Sequence, residues 1–340
     1  MSATVACFGE PLLRLSPPDH ERVPGTQRFD AHYGGAEANV AVGLARFGLN
    51  AHYVSKVPDD ALGTGVLRFL RGQGVDTSRV MRGGNRLGLY FLEAGAPPRP
   101  STVTYDRTNT AIRSLHPDHV DWTDVLEESD WFHWTGITPA LGDAPRDCVA
   151  AASRRAQDAG VTVSCDLNYR SKLWAPEEAR AVMIPLMENV DICVAGLGAA
   201  DACLDVQVDD QSGMSDADRA TRLLRHLQDT FAFKTVATTL RGAPTAAPRT
   251  YAGLLCAANG TVYGPERHAL TVVDRVGAGD AFAAGLIAGL LRYDDAATAL
   301  AFATASGTLA HTLPGDAALL DPDEVTALAA GRDRAGGVDR

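Results

Sequence analysis

The stretch Asp274-Arg275-Val276-Gly277-Ala278-Gly279-Asp280-Ala281-Phe282 decides how this chain is read. Two glycines separated by one small residue lead directly into an apolar segment. Phe282, Leu286, Ile287, Leu290 and Leu291 then recur at spacings of three and four, one face of a helix. The spacing predicts a glycine loop that opens a helix at about Asp280. Gly277 and Gly279 allow the backbone to turn its N–H groups into one concave surface. With the positive end of the helix dipole behind them, those amides make an anion site. A carboxylate at its mouth is costly unless it has a task. Asp280 could take a proton from a hydroxyl while the amides hold a transferring phosphoryl group. The plainer reading of the same four residues is that Asp280 is an N-cap.

Outward from that loop, the second half of the chain alternates apolar runs with helical patterns. Strands are predicted at 131–134, 161–165, 191–195 and 234–239, and helices at 146–159, 176–187 and 218–228. A further helix is capped by Asp295 and runs to about His311. This alternation argues for a doubly wound, mostly parallel α/β sheet with helices on both faces. Ligands in such sheets sit beyond the carboxyl ends of the strands. Asn168 and Arg170 are expected after the Cys165 strand, and Leu240 and Arg241 after the Thr239 strand. The first half contributes a buried strand, Thr4 to Phe8, a helix from about Ala36 to Phe47, a strand at 52–57 and a helix at 62–73. Mixed segments at 12–15, 28–33, 87–93 and 102–107 read as half-exposed strands of a separate small sheet. Neither an internal repeat nor a linker interrupts residues 1–330, which read as one domain. The polar, glycine-containing end, 331–340, reads as a frayed tail.

Composition narrows the partners. The 340 residues are 46% hydrophobic, which is ample for a core, and the formal charge is −11. Lys and Arg are not clustered with aromatics, which argues against nucleic acid. Six cysteines lie scattered without C-x-x-C spacing, and no apolar run approaches the ~18 residues of a membrane span. A reduced, cytoplasmic protein that does not enter the membrane is expected. An acidic chain that binds anionic ligands must rely on individual arginines.

Gly277-Ala278-Gly279-Asp280-Ala281-Phe282-Ala283-Ala284-Gly285 resembles the C-terminal signature of the ribokinase-like, or PfkB, carbohydrate kinases. Gly34-Gly35-Ala36-Glu37-Ala38-Asn39-Val40-Ala41 resembles the sugar-binding G-G-x-x-x-N-x-A of the same family. The resemblance extends over nearly the whole chain. It implies that Asp280 is the catalytic base, that the Gly277–Gly279 amides are the anion hole, and that Gly34, Gly35 and Asn39 meet the sugar. It implies ATP with Mg²⁺, and adenosine phosphates laid along Asn168, the turn Thr239 to Gly242 with Arg241, and the glycine loop. The small sheet would be a lid drawn from about 11–33 and 86–110. Lids of this kind also pair between subunits, so a homo-oligomer, a dimer through the lid, is expected.

Asp166-Leu167-Asn168-Tyr169-Arg170-Ser171-Lys172-Leu173-Trp174 is similar to the D-x-N-x-R-x-x-L-W stretch of 2-keto-3-deoxygluconate kinases. Such a substrate is a sugar acid, and its carboxylate calls for a cation. Arg170 from this loop and Arg107 from the lid, with Tyr90 and Tyr105 beside it, would supply the pair. The competing reading pairs Arg170 with Asp166. Asp316 matches a family position near the phosphorylated end of the sugar; otherwise it is an exposed turn residue. Two departures stand out. The family's N-x-x-E motif is replaced by Gly196-Leu197-Gly198-Ala199-Ala200-Asp201, so the carboxylate that supports the magnesium shell is missing at that spacing. The glycine-rich nucleotide turn is replaced by Leu240-Arg241-Gly242-Ala243-Pro244-Thr245. A kinase acting on a neutral ketose, or a catalytically weak sugar-acid binder, are the rival readings.

Overall fold

The computed structural model describes residues 2–96, 98–209, 213–242, 249–264 and 267–332. The chain enters through β1 (Thr4–Phe8), β2 (Leu12–Ser16) and β3 (Asp30–Gly34). It continues through α1 (Ala36–Arg46), β4 (Asn50–Val57), α2 (Ala61–Gly72) and β5 (Val80–Arg82). β6 (Gly88–Glu93), β7 (Thr102–Asp106) and α3 (Trp122–Glu127) follow. Alternation then sets in with β8 (Trp131–Thr135), α4 (Asp143–Asp158), β9 (Thr162–Asp166), α5 (Pro176–Leu186), β10 (Ile192–Val194), α6 (Leu197–Leu204) and α7 (Asp216–Phe231). The last part holds β11 (Thr235–Arg241), β12 (Arg249–Cys256), β13 (Val262–Tyr263), β14 (Arg267–Leu270), α8 (Ala278–Arg292), α9 (Ala296–Ala310) and α10 (Pro322–Ala329).

The main sheet runs β13-β12-β11-β10-β9-β8-β1-β4-β5, with β14 also on β12. From β11 to β5 every neighbouring pair is parallel, and β12 turns antiparallel at one end. Alternate residues of the central strand feed opposite faces. Ala6 and Phe8 join a core with Val149, Val163 and Leu224, whereas Val5 and Cys7 join one with Val40, Ala284 and Phe302. That is the period-two side-chain alternation of a sheet covered on both sides. The expected α/β class is therefore the observed one.

The second sheet, β3-β2-β6-β7, has four strands. β2 pairs antiparallel with β3 and parallel with β6, and β6 pairs antiparallel with β7. These are the segments expected to form the lid.

Three local expectations shift. Leu240 and Arg241 lie inside β11, paired with Ala252 and Tyr251, and not in a turn after it. Residues 197–204, noted only for the altered N-x-x-E segment, form α6. α8 begins at Ala278 with Gly277 as its N-cap, so Asp280 sits within the first turn. The capping alternative for Asp280 is thereby removed. Ala243, Pro244 and Thr245 of the nucleotide turn, and 333–340 of the tail, lie outside the described residues.

Candidate functional site

The site is built where the two glycine signatures meet. Gly277 adopts φ +77°, a left-handed conformation that suits glycine. A Cβ there would stand 1.9 Å from the Asp316 carbonyl oxygen, so that turn lies directly on the loop. Gly34 faces the same residue, since its Cβ would lie 2.5 Å from Asp316 Oδ2. Asp316 is buried and not an exposed turn residue. Gly279 has no heavy atom within 4 Å of its Cβ position, so the opening turn of α8 faces empty space. The first N–H groups of a helix have no intrahelical acceptor and can meet an anion there.

Asp280 stands in that turn, and its Oδ2 accepts a hydrogen bond from Asn39 Nδ2 at 2.7 Å. Asn39, in the first turn of α1, is buried, and its Oδ1 lacks a partner. Asp280 itself is half-buried. Burial of its carboxyl pushes the pKa up to about 7; the Asn39 hydrogen bond and Arg170 oppose the rise, while Asp166 and Glu37 add to it. A carboxylate poised near neutrality is matched to general-base work at physiological pH.

Glu37 is a group that sequence reading left unassigned. Its Oε1 accepts from Thr135 N at 3.0 Å, Thr135 Oγ1 at 2.8 Å and Thr138 Oγ1 at 2.6 Å. It fastens the start of α1, and with it Asn39, to the end of β8. Burial raises its pKa as well.

The small sheet, expected to act as a lid, packs on the same turn. Tyr90 donates to Asp316 Oδ2 at 2.5 Å, and its ring lies 5.9 Å from that of Tyr105. Val276, just before the glycine loop, packs against the Leu12, Tyr90 and Leu92 cluster with Tyr105. Lys172 donates to the Val103 carbonyl, so the 166–174 loop also touches the lid. Gly35, at φ +128°, caps α1, and its Cβ would meet the Glu10 carbonyl at 2.2 Å. Its role is to let that turn approach the chain after β1, whereas Gly34 lies against Asp316.

Arg107 departs from expectation. Its Nε and Nη2 both donate to Glu10 Oε2, at 2.8 and 2.5 Å, in a buried pair, and it lies 5.3 Å from the Tyr105 ring centroid. Its charge is therefore already matched by Glu10. Arg170 differs: it is exposed and has no ion-pair partner among the described residues. Both Asp166 and Asp280 feel its charge.

In the loop after β9, Asn168 takes φ +37°, an unusual value for a residue with a side chain. Its N–H donates to Asp166 Oδ1 at 3.0 Å. Burial pushes Asp166 up to about 6, against Arg170 and Arg241. Thr239 is half-buried, Arg241 is exposed, and Gly242 N donates to the Thr250 carbonyl. Asp201, the nearest acidic substitute in the altered N-x-x-E segment, is turned onto Arg180 and Gln207. Among the described residues no cluster of three or more His, Cys, Asp or Glu could cage a metal ion.

The pfkB family carbohydrate kinase model matches residues 2–322. Over 340 residues, the full length of both chains, this sequence is 37% identical to 2-dehydro-3-deoxygalactonokinase of Haloferax volcanii. It is 30% identical to 2-dehydro-3-deoxygluconokinase of Thermoproteus tenax, covering 96% of this chain and 94% of that one. The crystal structure of 2-dehydro-3-deoxygluconokinase from Thermotoga maritima superposes with a TM-score of 0.92 at 43% identity, covering 97% of this chain and 99% of that chain. With the glycine loop, the Asp280–Asn39 contact and the lid in place, the chain belongs to the pfkB family of carbohydrate kinases.

Proposed function

We propose that the chain transfers the γ-phosphoryl group of ATP to the terminal hydroxyl of a sugar acid, a 2-keto-3-deoxyaldonate such as 2-keto-3-deoxygluconate. The observation that carries the chemistry is the Asp280 carboxylate, held by Asn39 in the opening turn of α8 beside an open loop of amides. The names of the relatives, which divide between gluconate- and galactonate-derived substrates, support the substrate class.

In this reading Asp280 takes the proton of the attacking hydroxyl, and that oxygen displaces ADP in line at the γ-phosphorus. The amides of Gly277, Ala278 and Gly279 hold the charge on the transferred group. Arg170 meets the sugar-acid carboxylate. Arg107 acts as half of a donor–acceptor pair with Glu10, suited to hydroxyls as well as to charge. Tyr90, Tyr105, Asp316 and Gly34 frame the sugar; Asn168, Thr239, Arg241 and Gly242 flank the nucleotide. Bound Mg²⁺ would neutralise phosphate charge while keeping much of its water shell. Asp166, an acceptor-rich carboxylate that electrostatically couples to Asp280, is the side chain fit to meet it. A cytoplasmic location and a dimer through the lid belong to the same reading. The location accords with six buried free cysteines.

The test is the purified chain with ATP, Mg²⁺ and a panel of sugars and sugar acids. Phosphorylation of 2-keto-3-deoxy acids, with neutral ketoses weaker, is expected. Strong turnover of fructose and none of the acids would overturn the substrate. Ligand-induced thermal stabilisation without ADP release would mark a binding protein instead.

A further inference from the structure

Arg14 has no part in the chemistry above, yet it donates to three side chains beside the site. It lies on lid strand β2 and is 4% exposed. Its Nη2 donates to Asp274 Oδ2 at 2.6 Å, its Nη1 to Asp316 Oδ1 at 3.1 Å and its Nε to Ser16 Oγ at 2.9 Å. Both aspartates hold the glycine loop. Asp274 stands three residues before Gly277; its Oδ1 accepts from the N–H groups of Arg275 and Val276, and its Oδ2 from Gly315. Asp316 places its carbonyl against Gly277 and its carboxylate against Gly34 and Tyr90. One guanidinium thus joins a lid strand, the lead-in to the anion loop and the turn that packs on that loop.

The charge count makes the bridge indispensable to this arrangement. One cation faces two buried anions, so its loss would leave two like charges close together in a poorly solvated place. Tyr90 and Val276 would still join loop and lid, but with no cation between the two carboxylates that joint would loosen. We propose that Arg14 is a positioning residue that couples lid to anion loop, so that a sugar acid under the lid and a nucleotide at the loop each strengthen the binding of the other. The coupling is reciprocal by thermodynamic necessity. The structural half stands on the geometry alone; the ligand half rests on the proposed function.

The experiment has two arms, with wild type, Arg14→Lys and Arg14→Met. In the first, hydrogen exchange is followed by mass spectrometry on substrate-free protein. Arg14→Met is expected to exchange residues 274–281 about tenfold faster, while α4 on the far face is unchanged; Arg14→Lys, which keeps the charge without the fork, should fall between. In the second, the affinity for a non-hydrolysable ATP analogue is measured with and without 2-keto-3-deoxygluconate. Wild type should show about tenfold tightening, within the usual span of allosteric coupling, and Arg14→Met little or none. Unchanged exchange at 274–281 in a folded Arg14→Met protein overturns the inference, as does full tightening in that variant. Altered exchange in the first arm with no effect of the sugar acid on wild type would overturn the cooperativity and point to a different substrate, leaving the structural bridge supported.

Discussion

The two ends of the site treat charge in opposite ways. At the lid end buried and part-buried charges are matched: Arg107 by Glu10, Arg14 by Asp274 and Asp316, and Arg86 by Asp106. At the loop end Asp280 has one neutral donor, Asn39, and like-charged neighbours in Asp166 and Glu37, while Arg170 lies exposed. Matched charges fix shape, because most of their donors and acceptors are already engaged, Glu10 Oε1 excepted. Unmatched charges are left to act on something that arrives from outside. The difference assigns geometry to the lid and chemistry to the loop.

That contrast can be broken most severely at Asp280. Asp280→Asn keeps the size and the Asn39 contact but cannot accept the proton, so kcat should fall about 10²–10⁴-fold with the fold retained. Near-normal turnover would erase the contrast. Next is the buried pair. Arg107→Met leaves Glu10 buried without its cation and should lower stability by about 3–5 kcal/mol. Glu10→Gln combined with Arg107→Met should recover much of that loss, measured by denaturant unfolding. If Arg107→Met instead changed only KM for the acid with no loss of stability, the pair would serve the ligand without framing the small sheet. A smaller effect is expected at Arg170. Arg170→Ala should raise KM for the sugar acid about tenfold, the worth of a charge-assisted hydrogen bond, while leaving Tm nearly unchanged because the side chain is exposed.

Stability against pH sharpens the same point. The folded pKa of Asp280 is raised to about 7, above the unfolded value near 3.9. The native state therefore binds more protons than the unfolded state between those values, and this residue's contribution to stability falls as pH rises through that window. Asp280→Asn removes the dependence. Its stability relative to wild type should grow from pH 4 to pH 7 and level off above, whatever happens to activity. A constant difference across that range would mean that the carboxyl is not held out of water.

Much of this was legible in the chain. The glycine loop, the helix behind it and the alternation of the second half are local patterns, set by spacings of two and three to four residues. So were the lid strands. The bridges were not, because their partners lie far apart: Glu10 and Arg107 are separated by 97 positions, and Arg14 and Asp316 by 302. No local pattern tells a buried arginine from an exposed one on a strand such as Leu12-Leu13-Arg14-Leu15. The Glu10 partner of Arg107 was hidden for that reason. Short helices escaped for another: α3, α6 and α10 are too short to show a period. Asp280 was placed correctly near a helix start, but only the structure shows that Gly277 and not Asp280 occupies the cap.

The central claim is that Asp280 works as a base tuned close to neutrality. Its most direct test is the pH dependence of kcat/KM for the sugar acid at saturating Mg²⁺–ATP. The rate should climb about tenfold per pH unit on the acid side and reach a plateau above an apparent pKa near 7. A profile that is flat from pH 5 to pH 8, or one that declines with rising pH, would contradict it.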